Sequence, residues 1–376
     1  MKKIEMVDLK GQYEQIQTQV NQSVLETIES TQFINGPKVK SFQQHLENYL
    51  NVKHVIPCAN GTDALQIALM GLGLKPGDEV ITADFTFAAT VEVISLLGLT
   101  PVLVDVDPQT FNISIESIQK VIGPKTKAII PVHLFGQAAD MEEILALAHE
   151  NNLFVVEDNA QSIGADYTFS NGSKMKTGTL GHVGTTSFFP SKNLGAYGDG
   201  GAIFTNDDET AHTIRGMVNH GMYIRYHHDV VGVNSRLDSV QAAILDIKLK
   251  YLDFYNESRK AAALKYNQRL ADHPNLITPY RKGDCDSHVY HQYTLKIIDG
   301  DRDGLVKHLN ENNIPCGVYY PIPLHLQKAY TSERYKAEDF QVTLQVVNEV
   351  ISLPMHTELT DDQIDFVTTV IKRFLG

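Results

Sequence analysis

Apolar strand-like segments alternate with amphipathic helical segments over residues 54–157, and this alternation constrains the fold more than any other feature of the sequence. The strand-like segments are apolar throughout, which is typical of a parallel sheet covered by helices on both faces. The predicted strands are residues 54–57, 79–82, 100–106, 128–134 and 153–157, and the predicted helices are residues 62–72, 88–97, 115–121 and 141–150. The pattern therefore predicts an α/β protein with a mainly parallel sheet.

The rest of the chain extends this domain and then changes character. Further strands are predicted at 183–189 and 202–205, followed by helix 210–218 and one long helix that ends near residue 270. From residue 274 the pattern becomes α+β, with strands 288–297 and 317–320 and helices 303–311 and 361–374. We expect a large domain over residues 1–250 and a small C-terminal domain over 251–376, with the N-terminal helices (13–30 and 39–50) packing on the small domain.

Composition excludes several classes of protein. The formal net charge of −13 argues against general affinity for nucleic acid or an anionic membrane, although a local cluster of donors can still bind an anion. Cys58, Cys285 and Cys316 form no CxxC pair, so neither a zinc site nor a disulfide framework is predicted, and a reducing cytoplasm is favoured. The N-terminus has no signal-peptide pattern, and no apolar run approaches the length of a membrane span.

Candidate site residues follow the predicted strands, because ligands of α/β sheets bind beyond the carboxyl ends of the strands. Gly61 and Thr62 begin a helix directly after the first strand, where backbone N–H groups and the helix dipole suit a phosphate. A simple helix start, with Thr62 as N-cap and Gly61 in the turn, explains the same residues equally well. No GxGxxG or GxxxxGK[ST] motif is present, so a dinucleotide site or P-loop is not predicted.

Two further strand ends carry groups that suit a charged, planar ligand. Phe87 follows the second strand and is either a core side chain or a platform for a ring. Asp158 follows the apolar strand 153–157, and a carboxylate there costs free energy unless a cation meets it. Its partner is predicted to be an arginine or a protonated ligand nitrogen.

Lys192 lies in the stretch 187–201, between a strand that ends in two phenylalanines and a glycine-rich turn. Desolvation at this position would lower the pKa of the amine and make it nucleophilic. The alternative is a surface lysine in an ordinary hairpin.

The loop 219–229 is rich in histidine and aromatic residues, including His220, His227 and His228. Without a nearby cysteine or an HExxH helix, anion binding or stacking on a ligand is favoured over a metal site. Tyr319 and Tyr320 precede a Pro-Ile-Pro run and are expected at a domain boundary.

A lysine, a strand-end carboxylate, an aromatic platform and an anion site together match the needs of pyridoxal 5′-phosphate (PLP). The segments 59–64, 84–90, 157–164, 187–201 and 232–243, in this order, resemble the DegT/DnrJ/EryC1/StrS family of nucleotide-sugar aminotransferases. The resemblance covers nearly the whole chain. It implies a PLP-dependent transferase of fold type I, with a large seven-stranded domain, a small C-terminal domain and an obligate homodimer.

The resemblance also implies roles for individual residues. Lys192 matches the lysine that holds PLP covalently, and Asp158 matches the partner of the ring nitrogen. The other positions that match cofactor contacts are Gly61, Thr62 and Asp63 at the helix start, Phe87 on the ring face, Gln161 near the ring hydroxyl, Ser187 at the phosphate, and Asn234 from the neighbouring subunit. The positions that match substrate contacts are Arg236, His227, His228, Tyr319 and Tyr320.

The activity implied is transfer of an amino group from L-glutamate to a keto group of a nucleotide-linked sugar, in amino-sugar or surface-polysaccharide synthesis. The resemblance favours C-3 of a UDP-3-oxo-hexuluronate or a dTDP-3-oxo-6-deoxyhexose. Amination at C-4 is the alternative among enzymes, and a PLP-fold regulator without turnover is the alternative outside them. Lys192 argues against the related dehydratases, which have a histidine at this position.

Overall fold

The computed structural model describes residues 3–281 and 287–376, and Cys285 lies outside the described residues. The strands, in chain order, are β1 (His54–Cys58), β2 (Glu79–Ala83), β3 (Thr100–Val104), β4 (Thr126–Ile130), β5 (Phe154–Asp158), β6 (Asp166–Thr168), β7 (Lys174–Lys176), β8 (Val183–Ser187), β9 (Gly201–Thr205), β10 (Met222–Ile224), β11 (His227–His228), β12 (Leu276–Ile277), β13 (Tyr293–Ile297) and β14 (Val350–Leu353).

Helices surround these strands. In chain order they are α1 (Leu9–Ser30), α2 (Pro37–Leu50), α3 (Gly61–Gly71), α4 (Ala89–Leu96), α5 (Ile115–Val121), α6 (Met141–Glu150), α7 (Asp208–Met217), α8 (Ser239–Leu249), α9 (Leu252–Leu270), α10 (Arg302–Glu311), α11 (Gln341–Glu349) and α12 (Asp361–Leu375). Short 3₁₀ turns occur at Leu134–Gly136, Leu324–Leu326 and Ala337–Phe340.

The main sheet has seven strands in the order β1-β9-β8-β5-β4-β2-β3. All of them are parallel except β9, which is antiparallel to both of its neighbours, β1 and β8. Neighbouring residues on one strand, such as Val80 and Ile81, are both fully buried and belong to different core clusters. Both faces of the sheet are therefore covered, and the predicted mainly parallel α/β fold is confirmed.

A second, three-stranded antiparallel sheet of β12, β13 and β14 lies in the C-terminal part of the chain. Its core contains Tyr266 from α9, Tyr293 from β13 and Ile364 from α12, together with Ile4 near the N-terminus. Helices α1 and α2 pack mainly on α8, on the large-domain side of the predicted boundary. The boundary at residue 250 itself stays a prediction.

The prediction of one long helix ending near residue 270 is wrong, because the chain breaks between α8 and α9. Lys250 N–H and Tyr251 N–H donate to carbonyls three residues back, which tightens the last turn of α8. Leu249 and Leu252 are nevertheless buried in the same cluster on either side of the break. The apolar spacing thus continues across the break, and periodicity gave no sign of it.

Two predictions for the C-terminal part are also wrong. Residues 317–320 do not form a strand, since only Gly317 pairs there, with Ser352 of β14. The strand predicted at 288–297 is confined to β13, and β14, which pairs with it, was not predicted. Residues after Gly317 turn away from the small sheet toward the carboxyl ends of the large one.

Candidate active site

The site lies where β1, β5 and β8 end and the antiparallel strand β9 begins. Cys58 at the end of β1 and Ser187 at the end of β8 both pair with Gly201 at the start of β9. Asp158 at the end of β5 pairs with Thr185 of β8. Parallel alignment therefore gathers side chains from distant parts of the sequence at one edge of the sheet.

The start of α3 forms an anion cradle at this edge. Asn60, rather than Thr62, is the N-cap, and its Oδ1 accepts from Asp63 N–H at 2.8 Å. Within the described residues, the N–H groups of Gly61 and Thr62 have no protein acceptor. They are free to donate to an anion, whereas Asp63 N–H is already engaged.

Ser187 stands directly over this helix start. A Cβ placed on Gly61 would lie 2.7 Å from the Ser187 Cβ, closer than side chains tolerate. Glycine at position 61 therefore lets the Ser187 hydroxyl approach the cradle. The predicted set of Gly61, Thr62 and Ser187 is brought together by the fold.

Asp158 is 5% exposed and points its carboxylate into the site. Its Oδ2 accepts from the Thr90 hydroxyl at 2.9 Å, and its Oδ1 accepts from Ala160 N–H at 3.2 Å. Neither donor is charged, so the carboxylate still lacks a full counter-charge. Sequence reasoning missed Thr90, although it lies in a segment of the family resemblance.

Lys192 retains some exposure, yet the protein packed around its amine lowers its pKa to about 8. Desolvation is the larger cause, and the negative charge of Asp158 opposes it. A larger fraction of the amine is therefore neutral near pH 8 than in an ordinary lysine. The alternative of an unperturbed surface lysine is not supported.

The residue after Lys192 fixes the loop that carries it. Asn193 is buried, and its Nδ2 donates to Asn256 Oδ1 at 2.8 Å and to the Val289 carbonyl at 3.1 Å. Asn256 belongs to α9, and Val289 precedes β13. The C-terminal part of the chain thus holds the lysine loop in place.

An aromatic wall lies on another side of the site. The Phe87 ring is 57% exposed, and its centroid lies 6.2 Å from that of Tyr320. Gln161 Nε2 donates to the Tyr320 hydroxyl at 3.1 Å, and Gln161 Oε1 accepts from Phe135 N–H at 2.6 Å. An exposed ring beside a rigid amide suits a planar ligand better than a core role.

Within the described residues, the remaining predicted residues make no hydrogen bond to the α3 cradle, Asp158 or Lys192. Asn234 is exposed, and Arg236 Nη1 donates to Asn219 Oδ1 at 3.2 Å. His227 and His228 are exposed on the β10–β11 hairpin. The described residues include no cluster of three or more His, Cys, Asp or Glu side chains arranged to hold a metal.

The residues at the sheet edge fit PLP. Free N–H groups at the start of α3 suit its phosphate, and the exposed Phe87 ring suits its planar face. Asp158 has no ion pair within the described residues, and a protonated ring nitrogen would provide one. The lowered pKa of Lys192 increases the fraction of neutral amine that can bond an aldehyde near neutral pH. Fold and site together define the class of lysine-dependent PLP enzymes.

Comparison with known proteins identifies the family within this class of enzymes. The profile of the DegT/DnrJ/EryC1/StrS aminotransferase family matches residues 14–372. The chain is 45% identical over 372 residues to the "pleiotropic regulatory protein" of Geobacillus stearothermophilus, covering 99% of this chain and 98% of the relative. It is 43% identical over 368 residues to the UDP-2-acetamido-2-deoxy-3-oxo-D-glucuronate aminotransferase of Pseudomonas aeruginosa, covering 98% and 99%.

Solved structures agree. The structure of NtdA from Bacillus subtilis with bound cofactor PMP has a TM-score of 0.88 and 32% identity, covering 95% of this chain and 81% of that one. The chain belongs to the DegT/DnrJ/EryC1/StrS aminotransferase family. The predictions of the family, the fold class, the aminotransferase activity and the PLP cofactor are confirmed. Among the helices of the described residues, none is both long and apolar enough to cross a membrane.

Proposed function

We propose that this protein transfers an amino group from L-glutamate to the C-3 ketone of a nucleotide-linked sugar, a UDP-3-oxo-hexuluronate or a dTDP-3-oxo-6-deoxyhexose, for amino-sugar synthesis. The observation that carries the proposal is Lys192, whose pKa falls to about 8 at the same sheet edge as Asp158 and the α3 anion cradle. Relatives named for C-3 amino sugars linked to UDP or dTDP support the substrate class.

Each residue at the sheet edge has a part in holding the cofactor. The Gly61 and Thr62 N–H groups would donate to the phosphate together with the Ser187 hydroxyl. Asp158 would pair with the ring nitrogen, and Thr90 holds the Asp158 carboxylate in place. Phe87 would cover one face of the ring, and Gln161 would serve the ring hydroxyl.

Lys192 does the proton chemistry. When bound, PLP supplies an electron sink for the negative charge that forms at the reacting carbon. With its amine free, Lys192 would remove the proton from the donor Cα as a general base and would give that proton up again as a general acid. Its lowered pKa lets it act in both directions near neutral pH. The same amine then serves in the reverse sense when the sugar ketone accepts the amino group.

The exposure of three predicted site residues leads to a proposed homodimer. Asn234 is exposed, as are His227 and His228 on the β10–β11 hairpin. In a homodimer, we place Asn234 in the partner's phosphate site, and Arg236 with the hairpin in a sugar-nucleotide pocket completed by Tyr319 and Tyr320. A cytoplasmic location is part of the same proposal, because nucleotide sugars and L-glutamate are cytoplasmic metabolites.

The test is a panel of UDP- and dTDP-linked 3-keto and 4-keto sugars, assayed with L-glutamate by formation of 2-oxoglutarate. We expect turnover with 3-keto sugars and an absorbance change of the bound cofactor on adding L-glutamate alone. Turnover confined to 4-keto sugars would replace the C-3 assignment with the C-4 alternative.

A regulator without turnover is the second candidate, and the name of the Geobacillus stearothermophilus relative is the observation that favours it. A protein that binds PLP yet shows no absorbance change with L-glutamate would support that role. A protein with intact Lys192 that stays colourless and refuses added PLP would overturn the enzyme proposal.

A further inference from the structure

The segment that carries Tyr320 spans the site with little support of its own. At one end, Gly317 exchanges two backbone hydrogen bonds with Ser352, at 3.0 and 2.7 Å. At the other end, Leu324 and His325 contact Asp84. Between these ends, the described residues make no hydrogen bond to the backbone of residues 318–322. The backbone position of residues 318–322 therefore depends on how firmly each end is held, in addition to the side-chain contacts of Tyr320.

The Asp84 end is held by three hydrogen bonds, two of them between residues 241 positions apart in sequence. Leu324 N–H donates to the Asp84 carbonyl at 3.2 Å. His325 N–H donates to Asp84 Oδ1 at 2.7 Å, and the His325 Nδ1–H donates to Oδ2 at 2.6 Å. Both side chains are buried, and burial raises the pKa of Asp84 against the opposing effect of His325.

Packing alone does not explain a histidine here. The His325 ring stacks on Phe340, with centroids 4.2 Å apart and planes at 11°. Its Nε2 is buried and has no hydrogen-bond partner among the described residues. An apolar ring would pack equally well and would leave no polar atom unpaired. We infer that the unpaired Nε2 is tolerated because the other ring nitrogen, Nδ1, is hydrogen-bonded to Asp84.

Asp84 belongs to the loop that builds the aromatic wall. It lies one residue beyond β2 and three residues before Phe87. The Phe85 ring meets the Tyr320 ring edge-on, with centroids 5.9 Å apart. The contact thus joins the loop of Phe87 to the segment of Tyr320 beside the site.

We propose that Asp84 and His325 form an anchor that positions Tyr320 for binding of the sugar-nucleotide substrate. This rests on the proposed function, which places Tyr320 in the substrate pocket. Both residues act through Tyr320 and are positioning residues. Gln161, on the cofactor side, is also held by Phe135 N–H, so the anchor acts on the ketone half-reaction and leaves the amino-donor half-reaction nearly unchanged.

The structure offers a matched control at the other end of the same strand. Glu79 begins β2, and its Oε1 accepts from Arg334 Nη1 at 2.9 Å. Arg334 lies nine residues after His325, so this ion pair ties the same strand to the same stretch of chain. It lies at the end of β2 opposite to Asp84. A substitution of Glu79 weakens the ion pair with Arg334 and leaves the contact between Asp84 and His325 intact.

The experiment compares holoenzyme carrying His325→Phe, which keeps the stacked ring and loses the donor, with holoenzyme carrying Glu79→Gln. We expect His325→Phe to lower kcat/KM for the ketosugar about 10-fold or more, mainly through KM. The half-reaction with L-glutamate, followed by cofactor absorbance, should change less than about 3-fold. Glu79→Gln should change neither. Equal losses in both half-reactions, no loss in either, or an equal effect of Glu79→Gln would overturn the proposal.

Hydrogen–deuterium exchange of the holoenzyme separates this proposal from the proposed function. Exchange of the backbone amides of residues 324 and 325, which both donate to Asp84, should rise in His325→Phe and stay unchanged in Glu79→Gln, whether or not any ketosugar is turned over. If His325→Phe does not fold, Asp84→Asn takes its place. The amide keeps a neutral hydrogen bond to His325, so a smaller rise in exchange is expected. Unchanged exchange in the folded variant would overturn the anchor, whereas a wild type without turnover overturns only the proposed function.

Discussion

Lys192 and Lys248 both have lowered pKa values, and both are associated with the loop of residues 189–196. Lys192 is part of this loop at the edge of the sheet, where its pKa falls to about 8. Lys248 lies in α8, is 1% exposed, and has its pKa lowered to about 7. Burial is the main cause in both cases. A lowered pKa by itself therefore does not distinguish a catalytic lysine.

The surroundings of the two amines make the difference. Lys192 faces the Asp158 carboxylate, which raises its pKa, and it keeps an opening to solvent. Lys248 Nζ donates to the Gly195 carbonyl at 2.6 Å and lies 5.2 Å from the centre of the Tyr197 ring. The positive charge of Arg259 lowers its pKa further. The Lys192 amine is accessible to a ligand, whereas the Lys248 amine holds the loop through its hydrogen bond to Gly195.

The largest expected effect is on turnover in Lys192→Ala. The variant lacks both the covalent attachment and the proton carrier, so kcat should fall at least about 10⁴-fold. The measurement is 2-oxoglutarate formation, with the cofactor absorbance band of the wild type expected to be lost. Lys248→Met, by comparison, should keep most of the activity. Equal losses in the two variants would show that the two lysines do not differ in role.

The next effect concerns Asp158→Asn. Loss of the carboxylate removes the charge that favours a protonated ring, and kcat should fall about 10²-fold or more. The same change removes the charge that raises the pKa of Lys192, so this pKa should fall below about 8. Capture of PLP by cofactor-free protein needs the neutral amine, and its rate should rise with pH around a lower midpoint than in wild type. The exposed Asp362→Asn serves as control, and an unshifted midpoint in Asp158→Asn would contradict the assigned contact.

Lys248→Met is expected to have the smallest effect on activity. Its main effect is on the free energy of unfolding and on how that energy depends on pH. A native pKa of about 7, against 10.5 for the free side chain, destabilises the fold by about 5 kcal/mol below pH 7. This cost decreases as the pH rises from 7 to 10.5. Over this range Lys248 is neutral in the folded state but still protonated in the unfolded state, and the free energy of that protonation falls with rising pH. Methionine removes the cost but leaves the Gly195 carbonyl unpaired, at about 1–3 kcal/mol.

Lys248→Met should therefore raise the free energy of unfolding by about 2–4 kcal/mol at pH 6 and by almost nothing at pH 9. Thermal unfolding of the holoenzyme at both pH values measures the difference. Lys250→Met, an exposed position two residues further along the chain, should shift the midpoint little at either pH. A stabilisation of the same size at pH 6 and pH 9 would rule out a charged buried amine as its cause.

Much of the site could be predicted from the sequence because each residue sits beside a strong local signal. Lys192 and Asp158 follow apolar strands, and the rule for ligands at strand ends places both at one edge. Gly61 and Thr62 begin the helix that follows the first strand, so the same rule places them at this edge. Ser114, the residue before the predicted helix 115–121, is its N-cap, and its hydroxyl accepts from Ser117 N–H at 3.3 Å within one turn. Signals of this kind depend on neighbours a few residues away.

The contacts that only the tertiary structure decided join residues far apart in sequence. His325 meets Asp84 across 241 positions, and Asn193 meets Val289 across 96. Lys248 has the sequence context of an ordinary helix lysine, and the break after α8 leaves the apolar spacing intact. Periodicity and capping act over one or two turns of backbone. They carry no information on which distant elements will pack together, and this packing sets the burial of each amine and the anchoring of each loop.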